Sequence, residues 1–167
     1  MEKTLSDVAV YCSYEKAVDL VELIPHPNNP NKHSDKQIAL LAKVIKSQGW
    51  RSPITVSKLS GFIVAGHGRL EAAKVLNVEK VPVDYQEFNS RAEELAHLLA
   101  DNRIAELSDL NLGDVSKVFE ELKGIDFDVE LTGFNEIDFT KLDQIEEQNE
   151  TVEKKIQCPK CGHEWAK

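Results

Sequence analysis

The segment "VDLVELIPHPNNPN" (18–31) opens with β-branched residues and leucines, then meets three prolines and three asparagines that continue neither a ladder nor a helix. It predicts a strand followed by a loop. Ile38, Leu41, Val44 and Ile45 then recur on one helical face, with Ser34 or Asp35 placed to cap it and Gly49 to stop it. In "PITVSKLSGFIVAG" two short β-branched runs flank Lys58-Leu59-Ser60-Gly61, a hairpin pattern whose second strand ends at Gly66. Leu70, Ala73 and Leu76 continue as a short helix. Val81, Val83 and Tyr85 alternate as a strand, which Pro82 assigns to a sheet edge.

"SRAEELAHLLADNRIAEL" predicts a longer helix, with Ser90 and Glu93 as a capping box and Leu95, Leu98 and Leu99 on its apolar side. Val115, Val118, Phe119 and Leu122 repeat at helical spacing up to Gly124. An extended piece, a turn at Thr132-Gly133 and one or two helical turns follow. Residues 143–155 are nearly all polar and read as an acidic linker, because nothing there buries a face.

Composition narrows the class. A chain of 167 residues that is 41% hydrophobic supports one ordinary core and an appendage. No apolar run approaches the roughly 20 residues of a membrane span, and the N-terminus lacks the features of a secretory signal. A cytoplasmic protein with no membrane partner is expected. The formal charge of −9 argues against wrapping nucleic acid with the whole surface. Its distribution is uneven: residues 1–90 carry 11 bases and 10 acids, residues 91–167 carry 9 and 19. Between Asn28 and Lys74 stand eight bases and two acids, a local +6, so an anionic ligand is expected there.

The stretch "IVAGHGRLEAAKVL" (63–76) lies in that basic region. A strand that stops at glycine and turns into a helix exposes unpaired N–H groups at the positive end of the helix. Gly66 and Gly68 permit close backbone approach, Arg69 offers a planar fork for phosphate oxygens, and His67 can donate a hydrogen bond or move a proton. A tight turn with Arg69 reaching into water is the plain alternative.

Four pieces in order carry a resemblance: the Pro/Asn-rich turn, "IALLAKVIKSQGWRSPITV", "IVAGHGRLEAAK" and "LLADNRIAELSDLN". Over roughly residues 18–112 the sequence resembles the N-terminal domain of the ParB/sulfiredoxin superfamily. The resemblance implies an α+β fold, a small mixed sheet with packed helices. It also implies a nucleoside triphosphate, CTP or ATP, on Gly66, His67, Gly68 and Arg69, with Mg²⁺ held by Asp101 and Asn102. His33, Asn102 and Arg103 are further expected ligand contacts, and His67 and Asp101 are the candidate catalytic groups. The chain departs from the family pattern: His67 stands for the usual Glu of the glycine box, Gly68 for its first Arg, and Ala105 for the Arg that closes the acidic-Asn box, leaving Arg103 out of register.

The implied organisation is an N-terminal extension (1–17), a nucleotide-binding domain (18–112), a helical continuation (113–142), the acidic linker (143–155) and a tail (156–167). That tail, "CPKCGHEW", has the spacing of one zinc knuckle, with Cys158, Cys161 and His163 as candidate Zn²⁺ ligands. Three ligands do not close a structural site, so a homodimer sharing Zn²⁺ through the tail, Cys12 or a partner's knuckle is expected to complete it. His26 and His33 flank the Pro/Asn loop, where solvent exposure is the common fate of a histidine. His97 reads as structural. Trp50 either plugs the core or stacks on a base, the core being preferred.

Three functions remain open. "NKHS", "QGW", "AGHGR", "LADN" and "LTGF" resemble phage and prophage ParB-like domains that precede DNA methyltransferases, implying a nucleotide-binding protein in a bacterial or phage-infected cell, with DNA or a DNA-modification enzyme as partner. No methyltransferase motif is present. A nucleotide-dependent phosphotransferase or hydrolase, similar to free serine kinases, is the second reading, with His67 as base. A DNA-binding or nicking protein is the third.

Overall fold

The computed structural model describes residues 3–134, 155–157 and 164–166. Two units divide between Ser108 and Asp109. The first begins with strands β1 (Lys3–Leu5) and β2 (Val8–Val10), an antiparallel hairpin turned by Ser6 and Asp7, both at positive φ. Such a two-residue turn matches the twist of its strands. Val8 and Val10 are buried in the same core as Val18 and the later strands, so the segment expected as an extension contributes to that core.

β3 (Lys16–Asp19), a 3₁₀ turn (Leu20–Glu22) and β4 (Ile24–Pro25) follow, where the sequence predicts one strand. Two separate strands are needed because β3 and β4 lie at opposite edges of the main sheet. Helix α1 (Asp35–Gln48) is capped as expected: the Ser34 side chain accepts from Gln37 N, and Gly49 ends the helix at φ 74°. β5 (Ile54–Ser57) and β6 (Phe62–Ala65) form the predicted antiparallel hairpin. Helix α2 (His67–Val75) and strand β7 (Lys80–Gln86) come next.

The five strands run in the order β3-β7-β5-β6-β4, a mixed sheet in which β7 is antiparallel to β3 and parallel to β5. Pro82 is therefore buried in an interior strand and not at an edge. Val83 O accepts from Glu15 N on the β3 side. Alternation then directs the Pro82 nitrogen toward β5, whose pairing begins one residue later at Ile54 opposite Val83. No ladder bond is lost.

Ala42 and Ile45 of α1, Leu70, Ala72 and Ala73 of α2, and the strand residues Ile54, Ile63, Val81 and Val83 make the core. Trp50 is wholly buried among them, which settles it as a core residue. α3 (Arg91–Glu106) starts at the Ser90 cap, which accepts from Glu93 N. Its buried positions are Glu94 and Leu98; Leu99, expected on the apolar side, is 56% exposed.

In the second unit, Asn111 caps α4 (Leu112–Gly124), Phe119 is buried, and the piece expected to be extended forms a 3₁₀ turn (Val129–Thr132) closed by Gly133. Two short strands, β8 (Lys155–Gln157) and β9 (Glu164–Ala166), pair antiparallel. The expected zinc ligands Cys158, Cys161 and His163 lie outside the described residues, as does the linker up to residue 154. No helix of the described residues is long and apolar enough to cross a membrane.

Candidate functional site

Buried β6 delivers the chain to Gly66, which sits in the left-handed region at φ 96° and turns it directly into α2. The first helical bond runs from Leu70 N to Gly66 O at 3.0 Å. The N–H groups of His67, Gly68 and Arg69 precede it and have no partner inside the helix. Leu70, Ala72 and Ala73 pin the helix to the core, so these three donors are held on a fixed frame.

Arg69 folds back over this turn. Its Nε and Nη2 stand 3.0 Å from where a β-carbon on Gly66 would lie. The Nε is buried with no hydrogen-bond partner, and among the described residues no carboxylate comes within ion-pair distance of the guanidinium. Burial lowers its pKa, while Asp101 and then Cys12 act through space to raise it. An arginine stays cationic under such a shift. Cys12, far away in sequence, thus comes close enough for its charge to register at Arg69, although burial raises its own thiol pKa.

His67 accepts through Nε2 from the backbone N–H of His26 at 3.2 Å. Its pKa is pushed down to about 4, first by burial, then by His26 and His33, against the opposing Asp101 and Glu71. The ring is neutral near pH 7. A neutral imidazole has one lone-pair nitrogen, and His26 engages it, so Nδ1 is left as a donor. His33 lies over Gly68: a β-carbon there would meet His33 Cε1 at 3.3 Å and Leu41 Cδ2 at 3.4 Å. The His33 Nδ1 is 3.2 Å from Gln37 Oε1.

His26 is buried, contrary to the expectation for a loop histidine. Its Nδ1 accepts from Asn28 N at 3.1 Å, its Nε2 lies 3.4 Å from Glu94 Oε1, and its ring meets Phe62 edge-on with centroids 5.4 Å apart. Ser57 donates to the other Glu94 oxygen. Burial raises the Glu94 pKa, but hydrogen bonds from Ser57, Ser60 and His26 outweigh it and hold the carboxyl below the usual range. Sequence reasoning assigned no part to Ser57 or Glu94. The available signal was the four-residue spacing of Glu94, Leu98 and Asn102, which puts all three on one face of α3.

Asn102 is committed at both ends, donating to Leu98 O at 2.8 Å and accepting from Asn31 of the Pro/Asn loop. Asp101 beside it is exposed, within a helix that continues to Glu106. Arg103 is not brought to the turn: its Nη1 pairs with Glu106 at 2.8 Å on the exposed side. Between the loop, α1 and α2 lies an open cleft of about 640 Å³, with Pro25, Ile38 and Val75 on an apolar side and Asn31, His33 and His67 on a polar one. That volume falls in the range of small-ligand sites. An apolar groove of about 400 Å³ in the second unit, along Val115, Val118 and Phe119, has little polar surface to hold a charged ligand.

Among the described residues no group of three His, Cys, Asp or Glu side chains is placed to hold a metal ion. The implied Mg²⁺ pair fits in part. Asp101 offers an exposed carboxylate, whereas Asn102 Oδ1 reaches a cation only by releasing Asn31. One or two protein oxygens suit a Mg²⁺ whose other ligands are phosphate and water.

The family model of the ParB N-terminal domain matches residues 3–103. The chain belongs to the ParB N-terminal domain family. It is 44% identical over 64 residues to the ParB-like nuclease domain-containing protein YnaK of Escherichia coli, covering 38% of this chain and 72% of that one. It is 32% identical over 96 residues to Stage 0 sporulation protein J of Bacillus subtilis, covering 56% of this chain and only 34% of the relative. Among solved structures, a C-terminally truncated chromosome-partitioning ParB from Caulobacter crescentus, complexed with CTP-γ-S, superposes with a TM-score of 0.54 at 23% identity over 64% of this chain and 61% of that one. At that identity the likeness carries the ParB fold.

Proposed function

We propose that this ParB-family domain binds a nucleoside triphosphate, CTP before ATP, with its phosphates against the α2 N-terminus. The observation that carries the reading is the pairing of three N–H groups without a partner inside the helix, at His67, Gly68 and Arg69, with a guanidinium that meets no carboxylate within ion-pair distance among the described residues. Donors so grouped suit phosphate, whose oxygens meet both in the geometry that they prefer. The solved ParB neighbour complexed with CTP-γ-S supports the choice of nucleotide.

In this reading Arg69 clamps phosphate oxygens, His67 donates through Nδ1, His33 stands at the ligand's flank, and Asp101 would hold a Mg²⁺ if one accompanies the nucleotide. The cation, when bound, offsets phosphate charge. Asn102 holds the loop and Arg103 takes no part. Binding is favoured over phosphotransfer because the His67 lone pair needed for a general base is already taken by His26. The five motif resemblances support a phage or prophage setting beside DNA-modification or DNA-processing machinery, and the local +6 region supports a DNA contact. Cys158, Cys161 and His163 are proposed to hold Zn²⁺ in company with a second copy or a partner.

Calorimetric titration of the four ribonucleoside triphosphates, with and without Mg²⁺, tests the reading together with a phosphate-release assay. Saturable binding of one nucleotide that weakens without Mg²⁺ supports it. Binding of none contradicts it, and turnover dependent on an added hydroxyl acceptor replaces it with a kinase.

A further inference from the structure

α3 holds the Pro/Asn loop at two points. Glu94 grips the His26 ring at the start of the loop, and Asn102 grips Asn31 near its end. The first grip buries a carboxylate, 2% exposed, against a histidine 5% exposed. Hydrogen bonds from Ser57, Ser60 and His26 keep it ionised there, and apolar side chains fill such positions in other cores without loss of stability, so the charge invites a further account.

Orientation supplies one. Asn28 N–H occupies His26 Nδ1, which puts the proton of the neutral ring on Nε2, and Glu94 Oε1 lies 3.4 Å from that nitrogen. Ser57 fixes the far oxygen, so the carboxylate cannot rotate away. The residue that Glu94 anchors also donates its backbone N–H to His67 Nε2, so holding the ring keeps this part of the loop at His67. The protons along this line then have one assignment: Ser57 donates to Glu94, His26 donates to Glu94 by its ring and to His67 by its backbone, and His67 keeps its proton on Nδ1.

We propose that Glu94 is a positioning residue which, by holding the His26 ring, sets His67 as an Nδ1–H donor at the ligand cleft. This rests on the nucleotide reading only for what His67 meets there. Free imidazole favours protonation at the other nitrogen, so the tautomer reports the relay with no ligand present.

The test is long-range ¹H–¹⁵N correlation of the histidine rings in ligand-free full chain at neutral pH, for wild type, Glu94→Gln and Glu94→Leu. Wild type is expected to show His67 protonated at Nδ1 and His26 at Nε2. Glu94→Gln keeps an acceptor for His26 and retains both, whereas Glu94→Leu mixes the two His67 tautomers and weakens nucleotide binding about five- to tenfold, the worth of one oriented hydrogen bond. Ser57→Ala, which leaves the apolar packing intact, shifts the same populations less and decides the matter if Glu94→Leu does not fold. An Nε2-protonated His67 in wild type, or tautomers unchanged in Ser57→Ala and in folded Glu94→Leu, overturns the proposal. Correct tautomers in a protein that binds no nucleotide leave the relay standing and remove the nucleotide reading alone.

Discussion

Arg69 lies over the Cα of Gly66, its Nε and Nη2 3.0 Å from the place of a missing β-carbon. Glycine is required twice at that position, for the φ of 96° and for the guanidinium it admits. Gly66→Ala is expected to destabilise the fold by about 1–2 kcal/mol from backbone strain alone. It should also weaken nucleotide binding tenfold or more by displacing Arg69. Urea denaturation and calorimetry measure the two effects, and wild-type affinity in a folded variant contradicts the assigned role.

Arg69 and Arg103 both stood as ligand contacts in the sequence, and the fold separates them. Arg69→Lys is expected to bind nucleotide about tenfold more weakly or worse, because an ammonium replaces a two-pronged donor by a point charge. Arg103→Ala should stay within about twofold of wild type, since it removes only an exposed pair with Glu106. Calorimetric titration of both variants checks the contrast, and equal losses would place Arg103 at the phosphates after all.

Stability should depend on pH through His67, whose pKa falls to about 4 from an ordinary 6.5 through burial and the neighbouring His26 and His33, despite Asp101 and Glu71. Between those values the unfolded chain takes up a proton that the folded chain refuses. The contribution is therefore complete above 6.5 and is lost as pH falls toward 4. Denaturation midpoints at pH 7.5, 6.0 and 5.0 should fall more steeply for wild type than for His67→Gln. Parallel profiles would mean that His67 titrates normally.

Trp50 is wholly buried, and its Nε1–H has no partner among the described residues. Trp50→Phe removes volume but also an unsatisfied donor, two effects that oppose each other. It is expected to cost about 1–2 kcal/mol or less, against about 3–5 kcal/mol for Trp50→Ala. Nucleotide affinity should not change in Trp50→Phe. A specific loss of binding without a loss of stability would show that the ring serves the ligand.

Elements with local signals were legible in the sequence. Ser34 and Gly49 bracket α1 by cap and stop, and the Lys58-Leu59-Ser60-Gly61 turn marks the β5–β6 hairpin; neither depends on distant contacts. The glycine turn at 66–69 was visible for the same reason. Pro82 misled because a propensity rule counts the missing N–H without knowing which neighbour it would have faced. Glu94 was invisible because a charge beside the capping Glu93 reads as solvated, and only the tertiary approach of Ser57 and His26 buries it. Asn102 was expected to face a cation; the chain's path instead brings Asn31 against its oxygen.

The central claim is that the start of α2 grips phosphate, and its most direct measurement is the backbone amide spectrum on addition of CTP-γ-S and Mg²⁺. Large downfield shifts confined to His67, Gly68, Arg69 and their immediate neighbours, absent in Arg69→Ala, are the predicted result. Saturable binding that leaves these three amides unmoved would contradict the account.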